Sequence, residues 1–550
     1  MNGVTEPTPS PSVAPPKAYA LSGAWAAACA VLCGVFYFLA FPGIDIWPLG
    51  FVALIPLRLA MVGQTPKRAF WLGWLSGLTM ISLGFYWMVD MMKQFSGFST
   101  PICILLLTIV NAFESGRMGL FSWLFVRGQQ RFPNLGGLLW LSALVTSELT
   151  FPVLFFWSFG AVLHNVPVFT QVAELGGIFA VTLVVAAANF GLSEFLVARV
   201  QRRPANLRVA LPYLLVPVVA GLYGVLRIHQ VDARVAAAPK AVIGLVQANM
   251  SLTEKRQRHD EGMLRHMRAT EAMTAKQHLD LVIWSETSVM GAMLEDDAAR
   301  IVPRAFAARL HVPLLFGAVL VKPVTDAREY AYFNSALITD DQGQVHGRYD
   351  KQELVPFSEH MPLGRELPSL YEISPNSGKF EPGELNEPLP LGEHRVATLI
   401  CNDDVVPALG NRVTRDTNTD LLANLTNDAW FGDTTEPWIH LALAKFRAIE
   451  HRRFFIRSTN SGVSAFIDPV GRVLATTQTF KEQSLVHQIA WLKGRTVYEA
   501  LGDYPYWIPG LFAAYAAFSR RPRRKGDHER KARKARKGEP KRSNAAAVAQ

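Results

Sequence analysis

Seven apolar runs crowd the first 230 residues of this chain, at 20–41, 46–62, 69–89, 101–126, 136–150, 172–197 and 209–226. Runs of this kind match the roughly 30 Å hydrocarbon core of a bilayer, and backbone in lipid must satisfy its own hydrogen bonds, which selects helices. The fifth run continues through Phe151-Pro152-Val153-Leu154-Phe155-Phe156-Trp157, a proline-broken extension that reads equally as re-entrant or interfacial. An eighth, shorter stretch at 504–518 stops abruptly at Ser519-Arg520-Arg521. The expected plan is seven helices, a soluble region and one returning helix.

Loop charge orients this plan. Lys67 and Arg68, then Arg127 and Arg131, then Arg199, Arg202, Arg203 and Arg208 fall in every second loop. Lys and Arg collect on the cytoplasmic side of short loops, so both termini are expected in the cytoplasm. The segment from about Lys240 to Gly502 is then expected on the opposite, periplasmic face of a bacterial inner membrane. Lys93, Arg227 and Arg234 run against the scheme as a minority. The formal charge of +10 does not signal nucleic acid, because residues 520–542 carry 13 Lys/Arg against Asp527, Glu529 and Glu539. That tail accounts for the whole excess and reads as a solvated or anionic-lipid-contacting segment. The first residues, rich in Pro, Ser and Thr, lack the basic start of a cleavable signal, so the first apolar run is read as an uncleaved anchor.

The soluble region, about 260 residues, is large enough for one core. Short β-rich runs at 241–246, 281–284, 314–321, 335–338, 395–401, 421–425, 454–458 and 464–467 alternate with helical stretches such as 261–278 and 438–453. That order predicts an α/β sandwich or layered sheet. The domain boundaries expected are a disordered start at 1–19, a membrane domain at 20–230, a catalytic domain at 240–495, a last helix at 503–518 and a basic tail at 519–550.

Three polar residues stand at the ends of such runs. Glu286 follows Leu281-Val282-Ile283-Trp284-Ser285, Lys351 closes Arg348-Tyr349-Asp350-Lys351, and Cys401 ends the run from His394. Taken singly, each has an ordinary reading: a strand-exit carboxylate, a surface lysine, a small buried hydrophobe. Cys29, Cys33 and Cys103 all lie in apolar runs, so Cys401 has no cysteine partner in its own domain. Together the three supply a base, a cation and a nucleophile. A thiol with an ordinary pKa near ~8.5 needs a base as it attacks, and the oxyanion formed on a carbonyl needs a fixed positive charge.

The set Ile283-Trp284-Ser285-Glu286, Tyr349-Asp350-Lys351, Leu354-Val355-Pro356-Phe357-Ser358-Glu359, Ile400-Cys401 and Asn427-Asp428-Ala429-Trp430-Phe431-Gly432 resembles the nitrilase superfamily and its Glu-Lys-Cys triad. Joined to eight hydrophobic spans, it resembles the apolipoprotein N-acyltransferase family, over nearly the whole chain. The resemblance implies a multi-pass α-helical membrane domain plus an α/β nitrilase-like (αββα) sandwich. It implies Glu286 as proton acceptor, Lys351 as transition-state stabiliser, Cys401 as nucleophile and Glu359 as their support. The reaction implied is acyl transfer from a phospholipid, through a thioester, to the amine of a diacylated lipoprotein. Its alternative is hydrolysis by a membrane-tethered amidase.

The sequence departs from the family pattern at Asn402, where an aromatic is usual, at Asp403, an acid shortened by one methylene, and at Arg256, where a tryptophan is common. Arg256, Phe357 and Trp430 are expected to meet the lipid, with Phe431 and Trp438 as further candidates for an acyl entrance. The histidines His259, His266 and His278 lack metal-ligand spacing, and no glycine-rich phosphate loop is present. The expectation is therefore no metal, no cofactor, no nucleic acid, and a monomer.

Overall fold

The computed structural model describes residues 20–294, 302–324, 330–373, 377–384, 387–415 and 417–519. The expected N-terminal extension and the basic stretch 520–542 lie outside these residues. In the membrane part, Gly23–Ala40, Thr100–Gln129, Ala173–Val200 and Leu207–Ala237 are long and apolar enough to cross a bilayer, and Pro66–Gly84 with Met88–Gln94 forms a pair bent by 62°. The remaining expected crossings are shorter: 46–62 folds as a turn plus Ile55–Met61, 136–150 as the 15-residue Gly136–Thr150, and 504–518 as the 12-residue Trp507–Phe518. A lone span takes about 20 residues, so these three rely on their packing against longer neighbours. Small residues allow that packing. A Cβ added at Gly73 would meet the Met118 carbonyl at 2.3 Å, so helices Pro66–Gly84 and Gly116–Gln129 approach to backbone contact.

The proline-broken stretch after Thr150 is not helical, and buried side chains satisfy it. Glu148 accepts from the Phe159 amide at 2.6 Å and pairs with Arg117 at 3.0 Å, while Arg117 donates to the Trp157 carbonyl at 2.9 Å. Glu114 accepts from the Leu154 amide. Glu114, Arg117 and Glu148 thus act as packing groups, as irregular backbone at membrane depth requires.

The soluble part is two sheets face to face. One has strands β1 (Lys240–Gln247), β2 (Leu281–Ile283), β3 (Val289–Leu294), β4 (Leu314–Pro323), β5 (Tyr330–Thr339) and β6 (Val345–Asp350), with β13 (Gln483–Ala490) returning beside β1. The other runs β12 (Val473–Thr476), β11 (Ala465–Ile467), β10 (Phe455–Thr459), β9 (Leu421–Thr426), β8 (His394–Ile400), β7 (Leu389–Leu391). Alternation along each strand feeds two cores. Ile243, Leu245, Leu281, Ile283 and Leu315 point between the sheets toward Val396, Leu425 and Ile456, whereas Val246, Val282, Trp284 and Phe316 pack outward with Met273 and Phe306. Burial on both faces is why these strands read as continuous apolar runs.

Helix Glu436–His451 covers the second sheet and also joins the domains, since Ile439, Leu443, Phe446 and Ile449 share a core with the membrane helices. Polar contacts fix the junction. Lys445 donates to the His164 carbonyl at 3.0 Å, Arg452 pairs with Glu174 at 2.7 Å, and Glu450 accepts from the Ile178 amide at 2.9 Å.

Candidate active site

Glu286, Lys351 and Cys401 all sit just past the carboxyl ends of strands, namely β2, β6 and β8, the end where layered α/β sheets place their ligands. They line one cavity of about 250 Å³ together with Lys255, Asn334, Glu359, Trp430, Phe431 and, from the membrane part, Met91. Lys351 Nζ lies 2.7 Å from Glu359 and 3.7 Å from Glu286. Asn334, inside β5, donates to Glu286 at 2.6 Å and to Glu359 at 3.3 Å, tying the carboxylates together. The Val355 amide donates to Glu359 at 2.9 Å. Close approach behind Glu286 depends on Gly317: a Cβ there would stand 2.4 Å from the Thr287 amide nitrogen.

Cys401 adopts a left-handed backbone, φ 49°, a conformation that costs a non-glycine residue roughly 1–2 kcal/mol. Its neighbours hold it there. Asn424 donates to the Cys401 carbonyl at 3.0 Å, and Asp403 accepts from the Ile400 amide at 3.0 Å. Asp403 also accepts from Tyr349 Oη at 2.9 Å and from the amides of Glu353 and Gln352 at 2.8 and 3.3 Å. The shortened acid therefore ties the turn at Cys401 to the loop carrying Lys351. Burial pushes the Asp403 carboxyl up, to about 7, while all four groups bonded to it are donors, the arrangement an ionised carboxylate satisfies.

Electrostatics divide the roles. Burial pushes the Cys401 thiol well above its ordinary value; Lys351 pulls it partly back, and Glu286 and Glu359 push it up again. With burial the largest of these effects, the surroundings of Cys401 favour the neutral thiol. Burial also raises Glu286, against the pull of Lys351 and with the push of Glu359, which moves a carboxylate toward the pKa of an effective general base. Burial alone would lower Lys351; the negative charges of Glu359 and Glu286, and of Cys401 once it is ionised, raise it and favour the charged ammonium.

Behind Cys401 lies a second cluster that the sequence reading assigned no role. Arg457, fully buried in β10, pairs with Asp404 at 2.8 Å and with Asp428 at 3.0 Å, and also donates to Asn424 at 3.3 Å. His440 bonds Asp404 at 2.8 Å. Asp428, Glu436 and His440 are close enough to hold a cation, and the Arg457 guanidinium already stands among them. The signal was an arginine inside the apolar strand Phe454-Phe455-Ile456-Arg457, since such residues are buried only when paired.

The expected lipid contacts divide. Trp430 and Phe431 line the cavity, and Phe431 meets Trp87 of the membrane part edge-on at 5.3 Å. Phe357 does not line it. The residue is 54% exposed, and its left-handed backbone, φ 65°, is pinned by the His360 carbonyl and by Ser377. Trp438 is also exposed. Arg256 lies on the short helix Leu252–Gln257 with its side chain outside the described residues. Its neighbour Lys255 is the cation that enters the cavity, donating to the Glu286 carbonyl at 3.0 Å and to Thr287 at 3.2 Å. Burial lowers Lys255 to about 8.

Two family descriptions match the chain, the carbon-nitrogen hydrolase family over residues 242–493 and the apolipoprotein N-acyltransferase N-terminal domain over residues 33–191. Proteins named apolipoprotein N-acyltransferase are similar over nearly their full lengths. That of Azotobacter vinelandii is 30% identical over 87% of this chain and 92% of its own, and that of Geobacter metallireducens 28% identical over 89% and 94%. A nitrilase-superfamily structure from Saccharomyces cerevisiae covers 48% of this chain and 94% of its own at 16% identity, with a TM-score of 0.35. With a nitrilase-like domain carried on a multi-pass membrane domain and relatives of this likeness, the chain belongs to the apolipoprotein N-acyltransferase family.

Proposed function

We propose that this protein moves an acyl chain from a phospholipid to the N-terminal amine of a diacylglyceryl-cysteine lipoprotein through a thioester on Cys401. The observation that carries the reading is the shared cavity, where Glu286, Lys351 and Cys401 converge beside Met91 of the membrane part. Glu286 takes the thiol proton as Sγ attacks the ester carbonyl, and Lys351 stabilises the oxyanion. A fixed charge of this kind contributes on the order of a hundredfold in rate. As the C–O bond breaks, Glu286 returns the proton to the departing lysophospholipid alcohol. The acceptor amine then attacks the thioester; the amide C–N bond forms as the C–S bond breaks, and Glu286 takes the proton the amine loses and returns it to the departing thiolate, restoring the thiol. Glu359 and Asp403 act as positioning residues.

Both substrates carry acyl chains, so a site held at the membrane junction keeps reacting groups close to lipid-anchored ones. Gln130 donates to the Gln64 carbonyl at 3.3 Å, and Gly63, Gln129, Gln201 and Arg203 line one cavity, so the ends of helices Ile55–Met61, Gly116–Gln129 and Ala173–Val200 that carry basic residues lie together. That grouping supports cytoplasmic termini and a catalytic domain at about 240–495 facing the periplasm; eight crossings and a monomeric protein belong to the same proposal.

The test is to incubate purified full-length protein with a defined phospholipid, isolate the acyl-protein, and add a diacylated lipopeptide. The acyl mass should move from the peptide containing Cys401 to the lipopeptide amine. Release of free fatty acid with no acylated lipopeptide would replace this reading with a membrane-tethered hydrolase.

A further inference from the structure

A second polar cavity, about 590 Å³, lies at the other end of the membrane helices, with Arg58, Arg203, Arg208, Glu194, Asn134 and Tyr213 among its lining. Its position follows from the chain path. The first residues of Ala173–Val200 contact the soluble domain through Glu174 and Ile178; the backbone is non-helical at Gly176 and Gly177, and from Ile178 onward the cavity residues Phe190, Glu194 and Val197 lie roughly 18–29 Å along the helix at 1.5 Å per residue. This is the end bearing the basic loops.

Arg58 has an unusual setting. It is 5% exposed, its guanidinium lies 4.6, 4.8 and 5.6 Å from the ring centres of Phe190, Phe125 and Trp140, and its Nε is buried without a hydrogen-bond partner. Aromatic faces offset part of the cost of an unhydrated cation, but a buried guanidinium whose Nε meets no acceptor is expensive at membrane depth and points to a ligand. The carboxylate on the cavity wall, Glu194, pairs with Arg203 at 2.7 Å. Arg58 and Arg208 are left with no carboxylate of their own among the described residues, so the cavity has a net positive charge.

We infer that this cavity binds a phosphate-bearing anion, and specifically the headgroup of an anionic glycerophospholipid in the leaflet remote from Cys401. The exposed apolar side chains beside it favour the lipid over free phosphate. Leu138 and Leu211, 50% and 53% exposed, flank the cavity residues Gly137 and Pro212 and give acyl chains a surface along helices Gly136–Thr150 and Leu207–Ala237. The phosphate takes the free guanidinium edges of Arg58 and Arg208, the pairing in which arginine is strongest.

The test is native mass spectrometry of the full-length protein, titrated with phosphatidylglycerol, with diacylglycerol of the same chains, and with inorganic phosphate. Arg58→Gln and Arg208→Gln are compared with the parent. Arg208 is exposed, so its variant keeps the test open if Arg58→Gln fails to fold. The parent should hold one phosphatidylglycerol that either variant binds at least about tenfold more weakly, the loss of one charge-assisted contact. Diacylglycerol and inorganic phosphate should not displace it. Equal phosphatidylglycerol affinity in Arg208→Gln and parent would overturn the site, and displacement by inorganic phosphate at matched concentration would overturn the lipid assignment. No readout depends on acyl transfer, so the outcome is independent of the proposed reaction.

Discussion

Two buried clusters of cations and carboxylates flank Cys401, and they differ in what they face. Lys351 with Glu286 and Glu359 opens onto the cavity, whereas Arg457 with Asp404, Asp428 and His440 is sealed behind the turn at Cys401. In the sealed cluster the guanidinium has a carboxylate on each side, and Asn424 passes its position on to the Cys401 carbonyl. In the open cluster one ammonium serves two carboxylates, and one of them, Glu286, stands at the longer distance of 3.7 Å. The sealed cluster fixes backbone; the open one leaves a carboxylate and an ammonium facing the cavity, as the proposed reaction requires. Burial and charge alone do not separate a reactive site from a structural one. Access does.

The largest effect that can break this comparison is on stability. Arg457→Met removes the cation from the sealed cluster and strands Asp404 and Asp428, so unfolding should become easier by about 3–5 kcal/mol. Thermal or denaturant unfolding of the detergent-solubilised protein measures it; an unchanged midpoint would mean that the cluster does not hold the turn. Lys351→Met should do the reverse, with thioester formation slowed about a hundredfold or more and a folded protein retained. If instead it unfolds and Arg457→Met stays folded, the two roles are exchanged.

Asp403 lies between the clusters and sharpens the contrast. Asp403→Ala loses all four donors and should slow thioester formation by about tenfold or more, while Asp403→Glu retains part of the bonding and should fall between it and the parent. Equal rates for the two variants would deny Asp403 its positioning role. The smallest effect is in the pH profile. Because burial raises Glu286 above its ordinary 4.5, the base is protonated at a pH where an exposed glutamate is already ionised. Thioester formation should therefore rise with pH along a limb displaced above 4.5, measured in single turnover. A limb at or below 4.5 would point to another base.

Much of the sheet scaffold was legible because it is buried on both faces. The runs at 281–284 and 421–425 became β2 and β9 almost unchanged. Strands with polar or half-exposed faces were not legible. Val345-His346-Gly347-Arg348-Tyr349-Asp350 forms the edge strand β6, and β13 pairs with β1 from more than 200 residues away, a pairing that no local pattern encodes. Glu286, Lys351 and Cys401 stood out as polar ends of strands. Asn334 did not, because a lone amide inside a strand looks like any other until it is seen between two carboxylates. Lys255 was passed over for Arg256, since helix phase in a six-residue helix cannot be read from so few residues. In the membrane part the apolar runs were visible, but the 62° break after Gly84 and the shortness of Ile55–Met61 depend on neighbours.

The central claim is that Cys401 carries the acyl group. Full-length parent and Cys401→Ala are each incubated with one phospholipid of known chains, digested, and measured by mass. The peptide containing residue 401 should gain one acyl mass in the parent, with an equal amount of lysophospholipid released, and Cys401→Ala should show neither the adduct nor acylated lipopeptide. Undiminished lipopeptide acylation by Cys401→Ala would contradict the account.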